Sequence, residues 1–112
     1  MSRLLLAEEN ILEPAQKSIN SFYSDTVNEV IGAISKNRIV VVGMSVNPVV
    51  KKAKKLLDKE ELDYKYLEYG SYLSGWHKRL AIKLWSGWPT YPQVFIEGKL
   101  VGGYSELKEL FK

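Results

Sequence analysis

Apolar and polar positions along this chain switch repeatedly between a helical and an extended period. Ile11, Leu12, Ala15, Ile19 and Phe22 recur at near-helical spacing. Pro14 suits the first turn of a helix beginning near Glu13, so a short helix behind a leader is predicted here. A second helix is predicted over SDTVNEVIGAISKN. Ser24 or Asp25 can cap it, Thr26-x-x-Glu29 has capping-box spacing, and Val27, Val30, Ile31 and Ile34 make one apolar face. Lys36-Asn37 is a suitable end. RIVVVGM then brings four consecutive β-branched residues, Ile39 to Val42, the mark of a strand buried on both faces. A helix opens at Pro48, with Val49, Ala53, Leu56 and Leu57 inward and Lys51, Lys52, Lys54 and Lys55 outward. DYKYLEY alternates as a strand, with Tyr64, Tyr66 and Glu68 on one face and Lys65, Leu67 and Tyr69 on the other. Gly70 and Ser71 turn the chain. Ser74 to Leu84 reads as a helix with Trp76, Leu80 and Leu84 inward and Ala81 beside them. GWPT ends it, QVFI is a strand, Glu97-Gly98 a tight turn, and KLVGG the returning strand. SELKELFK makes a final helix.

The β-helix-β unit implies two parallel strands joined by a right-handed crossover. The terminal hairpin adds an antiparallel pair. The expected architecture is α/β, a four-stranded mixed sheet with helices on both faces. A helical extension over residues 1–25 precedes the domain proper at 26–112.

Composition narrows the chemistry. A chain of 112 residues, 46% hydrophobic and 26% charged, suits one globular domain with its own core. The net charge of +3 is mild for a nucleic-acid binder. There is no cysteine, which removes disulfides, thiol nucleophiles and thiolate metal ligands together. The single histidine, His77, cannot build a His-based metal site. No apolar run reaches the roughly 18–20 residues of a membrane span. MSRLLLAEEN is a poor signal peptide, because its short apolar patch runs into acids. A cytoplasmic protein is expected, without membrane or nucleic-acid partners.

The element order and two motifs resemble glutaredoxin, a branch of the thioredoxin fold, from about Thr26 to the end. The first motif is Arg79-x-x-Ile82-Lys83-x-Trp85-Ser86-x-Trp88-Pro89-Thr90-Tyr91-Pro92-Gln93. The second is the hairpin Phe95-Ile96-Glu97-Gly98-Lys99-Leu100-Val101-Gly102-Gly103. Both are similar to monothiol glutaredoxins that carry iron–sulfur clusters. The resemblance implies a thioredoxin-like fold and a cis peptide before Pro92. It implies a groove for glutathione or an extended peptide, paired to the backbone at Thr90 and Tyr91 beside Pro92. Arg79 or Lys83 would meet the glycyl carboxylate, and Gly103, Tyr104 and Ser105 the γ-glutamyl carboxylate at a helix N-terminus.

The chain departs from that family where the chemistry should be. The family's C-P-Y-C-K-K-A or C-G-F-S frame reads Asn47-Pro48-Val49-Val50-Lys51-Lys52-Ala53. The nucleophile position holds Asn47 and the second cysteine position Val50; a lysine common three residues earlier is Met44. An amide neither attacks a disulfide nor ligates a cluster as a thiolate does. Asn before Pro is a strong helix start. Asn47 is therefore expected to cap and Val50 to join the core, with no catalytic or metal-binding residue. Three readings follow: a redox-silent module that binds glutathione or peptide, an oxidoreductase whose cysteines have been replaced in this sequence, and a pure protein-interaction module. The KKAKK run reads as a solvated helix face, with a positive rim that favours an anionic partner.

Overall fold

Strand β1 (Ile39–Gly43) is buried along its whole length and sets the frame. The computed structural model describes residues 13–112. Around β1 run α1 (Glu13–Lys36), α2 (Pro48–Lys59), β2 (Lys65–Glu68), α3 (Trp76–Ser86), β3 (Gln93–Ile96), β4 (Lys99–Gly102) and α4 (Tyr104–Leu110). The described residues form a four-stranded sheet in the order β2-β1-β3-β4. β1 pairs parallel with β2, Val41 opposite Tyr66, and antiparallel with β3, Val41 opposite Val94. β3 and β4 are antiparallel. At their turn Glu97 and Gly98 both have positive φ, as a two-residue hairpin turn requires.

The two-residue period of β1 divides the core. Val40 and Val42 pack with Val30, Tyr69, Ile82 and Phe95 under α1 and α3. Ile39 and Val41 pack with Ala53, Leu57, Val94 and Leu107 under α2 and α4. The α/β architecture with helices on both faces is that of the sequence reading.

Three local expectations are corrected. The two N-terminal helices are one, and α1 runs through residues 25 and 26 without a break. Ser24, Asp25 and Thr26 do not cap. Polar residues inside a helix cost only tenths of a kcal/mol each, and burial of Val27 and Val30 holds the next turns. The Glu29 carboxylate accepts from the Tyr69 hydroxyl instead of closing a capping box. In α2 the inner residue is Val50, 2% exposed, whereas Val49 is 41% exposed. In α3 the buried residues are Arg79, Ala81 and Ile82, and Trp76, Leu80 and Leu84 face outward. The expected inward set omits Arg79; with Arg79 inside, the face turns with it. Of the apolar series at the N-terminus, Ile11 and Leu12 lie outside the described residues, as does MSRLLLAEEN, and Ala15, Ile19 and Phe22 outside the described side chains. No described helix is long and apolar enough to cross a membrane.

Gly32 sits in the interior of α1, and a Cβ built there meets nothing within 4 Å. Replacing a helical glycine with alanine removes backbone entropy from the unfolded chain. Gly32→Ala is expected to raise stability by about 0.5–1 kcal/mol, read as a higher urea midpoint at unchanged slope.

Candidate functional site

The chain leaves β1 through Met44, Ser45, Val46 and Asn47. Ser45 fixes this turn from two atoms, its N–H and its hydroxyl both reaching the Gly70 carbonyl, at 2.8 and 3.1 Å. Val46 has φ 57°, a conformation that β-branched side chains rarely take, and its side chain is 75% exposed. Asn47 is extended, and its Oδ1 accepts from the N–H groups of Val49 (2.9 Å) and Val50 (3.0 Å). With Pro48 at the first helical position, this is a complete cap. The position that would carry a thiolate spends its oxygen on the helix. The Asn47 Nδ2 has no partner among the described residues.

Asn47 shares a cavity of about 350 Å³ with Met44, Tyr72, Arg79, Lys83, Pro89, Thr90 and Tyr91. The Tyr91–Pro92 peptide is cis. Neither the N–H nor the C=O of Tyr91 makes a backbone–backbone hydrogen bond among the described residues. The Tyr91 side chain is well held: its hydroxyl donates to the Arg79 carbonyl at 2.6 Å, and Lys83 Nζ lies 5.6 Å from its ring centre. Burial pushes the Tyr91 phenol up, and the nearby Arg79 cation only partly opposes it, so the hydroxyl stays a donor. Arg79 is buried and its Nη1 donates to the carbonyls of Tyr69 and Ser74. Lys83, half-buried, has no such bond and presents its ammonium at the cavity wall.

A second cluster braces the loop before Pro92. Ser86 Oγ donates to Gln93 Oε1 at 2.8 Å, Gln93 Nε2 donates to the Trp88 carbonyl at 3.0 Å, and the Trp88 N–H donates to Ser86 Oγ at 3.1 Å. Gln93 is fully buried. Trp88 lies against Gly102, where φ is 125° and a Cβ would come 3.0 Å from the indole ring. The Trp88 indole nitrogen is buried with no acceptor among the described residues. At the start of α4 the Gly103 N–H donates to Glu106 Oε1 at 3.0 Å.

The structure thus brings Asn47, Arg79, Lys83, Thr90 and Tyr91 to one cavity. Pro92 is buried beside it, and a Cβ on Gly103 would sit 3.5 Å from the Pro92 carbonyl. Gly103, Tyr104 and Ser105 do not line the cavity, and one of the N–H groups expected to be open there is taken by Glu106. Val50 is core. Met44, which the family frame places three residues before Asn47, lines the cavity too, and Tyr72 is a cavity residue that no spacing signal marked. Larger hollows, of about 530 and 690 Å³, lie around Lys36 and Asn37 and hold none of these residues. Among the described residues no group of three or more His, Cys, Asp and Glu could hold a metal ion.

Comparison with known proteins agrees with this geometry. The family model described as glutaredoxin matches residues 48–101. A glutaredoxin-like protein of Dictyostelium discoideum is 54% identical over 93 residues, covering 82% of this chain and 76% of its own. A glutaredoxin of Ricinus communis is 37% identical over 70 residues, 62% of this chain and 69% of its own. Among solved structures, a buckwheat glutaredoxin–glutathione complex superposes with TM-score 0.73 at 25% identity, covering 81% of this chain and 83% of that one. Reduced glutaredoxin C1 from poplar gives 0.73 at 26% identity, over 84% and 80% of the two chains.

Asn47→Ala removes both cap bonds and is expected to cost about 1 kcal/mol of unfolding free energy. Asn47→Asp restores the acceptor and should recover most of it. Urea denaturation of the three proteins measures this, and equal midpoints would remove the cap as the role of Asn47.

Proposed function

The chain belongs to the glutaredoxin family, and on that premise we propose that it is a redox-silent member whose cavity binds glutathione or an extended peptide. The observation that carries this reading is the unpaired backbone of Tyr91, flanked by the Lys83 ammonium and the Asn47 amide. An extended ligand completes that backbone as a short ladder. Lys83 supplies the opposite charge for a carboxylate, and Arg79 adds field from behind while its Nη1 stays on protein carbonyls. Asn47 Nδ2 offers one more donor to a ligand acceptor. The glutathione in the buckwheat complex supports that ligand class by similarity. Gly103, Tyr104 and Ser105 remain candidates for a second carboxylate through backbone N–H groups other than the one Glu106 occupies. The residues given contain no thiol, so no covalent intermediate forms on them.

Reduced glutathione titrated at millimolar concentration into labelled protein is expected to shift the amides of Lys83, Tyr91 and their neighbours, and Lys83→Glu should abolish the shifts. A folded protein that shows none lacks the glutathione site. Asn47→Cys supplies a control on geometry. A thiol at a helix N-terminus has a lowered pKa. Treated with oxidised glutathione, this variant should form a mixed disulfide and release one reduced glutathione, faster than Val46→Cys does. Equal rates would mean that position 47 does not face the groove.

A further inference from the structure

Arg79, a candidate carboxylate anchor in the sequence, is used to hold a loop. Its buried Nη1 donates to the Ser74 carbonyl at 2.6 Å and the Tyr69 carbonyl at 2.9 Å, the two ends of that loop. Between them Ser71 and Ser74 exchange backbone bonds, at 3.0 and 3.3 Å, and their hydroxyls meet at 3.2 Å. The Leu73 N–H donates to Ser71 Oγ. Gly70 and Gly75 both have positive φ, and their backbones pass so closely that a Cβ on Gly70 would lie 2.3 Å from the Ser74 carbonyl oxygen. The large side chains the loop shows to solvent are Tyr72, 65% exposed, and Leu73, 96% exposed.

A buried guanidinium is a costly fastening, and of the loop it closes only Tyr69, at one end, belongs to the core. A rigid loop that displays an aromatic and an aliphatic side chain has the properties of a binding anchor, because its ordering entropy is spent before the partner arrives. The anchor is continuous with the cavity, since Tyr72 lines it beside Asn47. Exposed Val46, held at positive φ, stands next to Asn47. The charge on the segments that line the cavity has one sign. The sequence has no Asp or Glu between Glu29 and Asp58, nor between Glu68 and Glu97, and every cavity residue comes from those two segments. Glu68, at one border, accepts from the Tyr66 hydroxyl, and Glu29, at another, from Tyr69.

We propose that the Ser71–Ser74 loop is a docking element for an extended, acidic polypeptide segment. That segment lies in the cavity and crosses Tyr72 to set a large apolar side chain against Leu73. This deepens the reading of the cavity as a binding groove and rests on it. A lipid surface would use only the loop tip; the recess between Asn47, Tyr72 and Tyr91 fits an extended chain.

The test selects a phage-displayed library of random peptides on the full protein. The consensus peptide is then titrated into wild type, Leu73→Ser and Tyr72→Ser. Reduced glutathione and phosphatidylcholine–phosphatidylserine vesicles are parallel probes. The expected consensus joins Asp or Glu to a large apolar residue, and its affinity falls as salt rises. Leu73→Ser weakens it about tenfold and leaves any glutathione shifts at Tyr91 unchanged. No enrichment, a consensus without acids, or equal binding by Leu73→Ser overturns the proposal. So does vesicle binding that depends on Leu73 in the absence of a selected peptide. Leu73-dependent peptide binding in a protein that glutathione does not shift upholds it and removes only the glutathione ligand.

Discussion

Everything in this structure answers one demand: β1 has no polar side chain and must be covered on both faces. Ile39 to Val42 leave alternate methyl groups above and below the sheet. One face is met by α1 and α3, the other by α2 and α4. Strands β2 and β3 take its two edges, so β1 meets no water along its length. The chain can leave such a strand only at its carboxyl end, and there it must begin α2 from an exposed turn. Open α/β sheets form crevices at that end, and here the cavity lies there.

At that turn one constraint has replaced another. A helix N-terminus holds free N–H groups, and something must accept them. A thiolate there is stabilised by the same field that a neutral cap satisfies by hydrogen bonding. Asn47 does the second with Oδ1, so the helix is complete without any anion. The rest of the crevice does not depend on that residue. Its opposite wall is braced by Ser86, Trp88 and Gln93, and by the Tyr91 hydroxyl on Arg79. Its shape therefore does not require a thiol at position 47.

How far the sequence spoke follows from what kind of force decided each part. The strands were legible because β-branched runs and the Glu97-Gly98 turn are local signals. So was the cap, since Asn-Pro needs no tertiary partner. The α3 face was not, because Arg79 is buried by two carbonyls from a loop whose closure no periodicity records. The single long α1 was hidden by Ser24, Asp25 and Thr26, which read as the start of a second helix although α1 runs through them and Val27 and Val30 beyond are buried. In the candidate site, Met44, Asn47, Arg79, Lys83, Thr90 and Tyr91 were legible through a motif, whereas Tyr72 reaches the cavity through loop geometry alone. Gly103 was read as an open donor because the carboxylate that fills it, Glu106, lies one turn further along the chain.

The Asn47 cap has a consequence for how this molecule relates to its surroundings. A binding surface built beside a thiolate carries a reduction potential, and its occupancy follows the oxidants around it as well as its ligand. Here the turn offers an amide, and the one sulfur in the cavity wall, on Met44, is 7% exposed. The residues given place no thiol on this surface. For the ligand proposed above, occupancy is then set by mass action, and peroxide or disulfide stress reaches it by changing how much ligand there is.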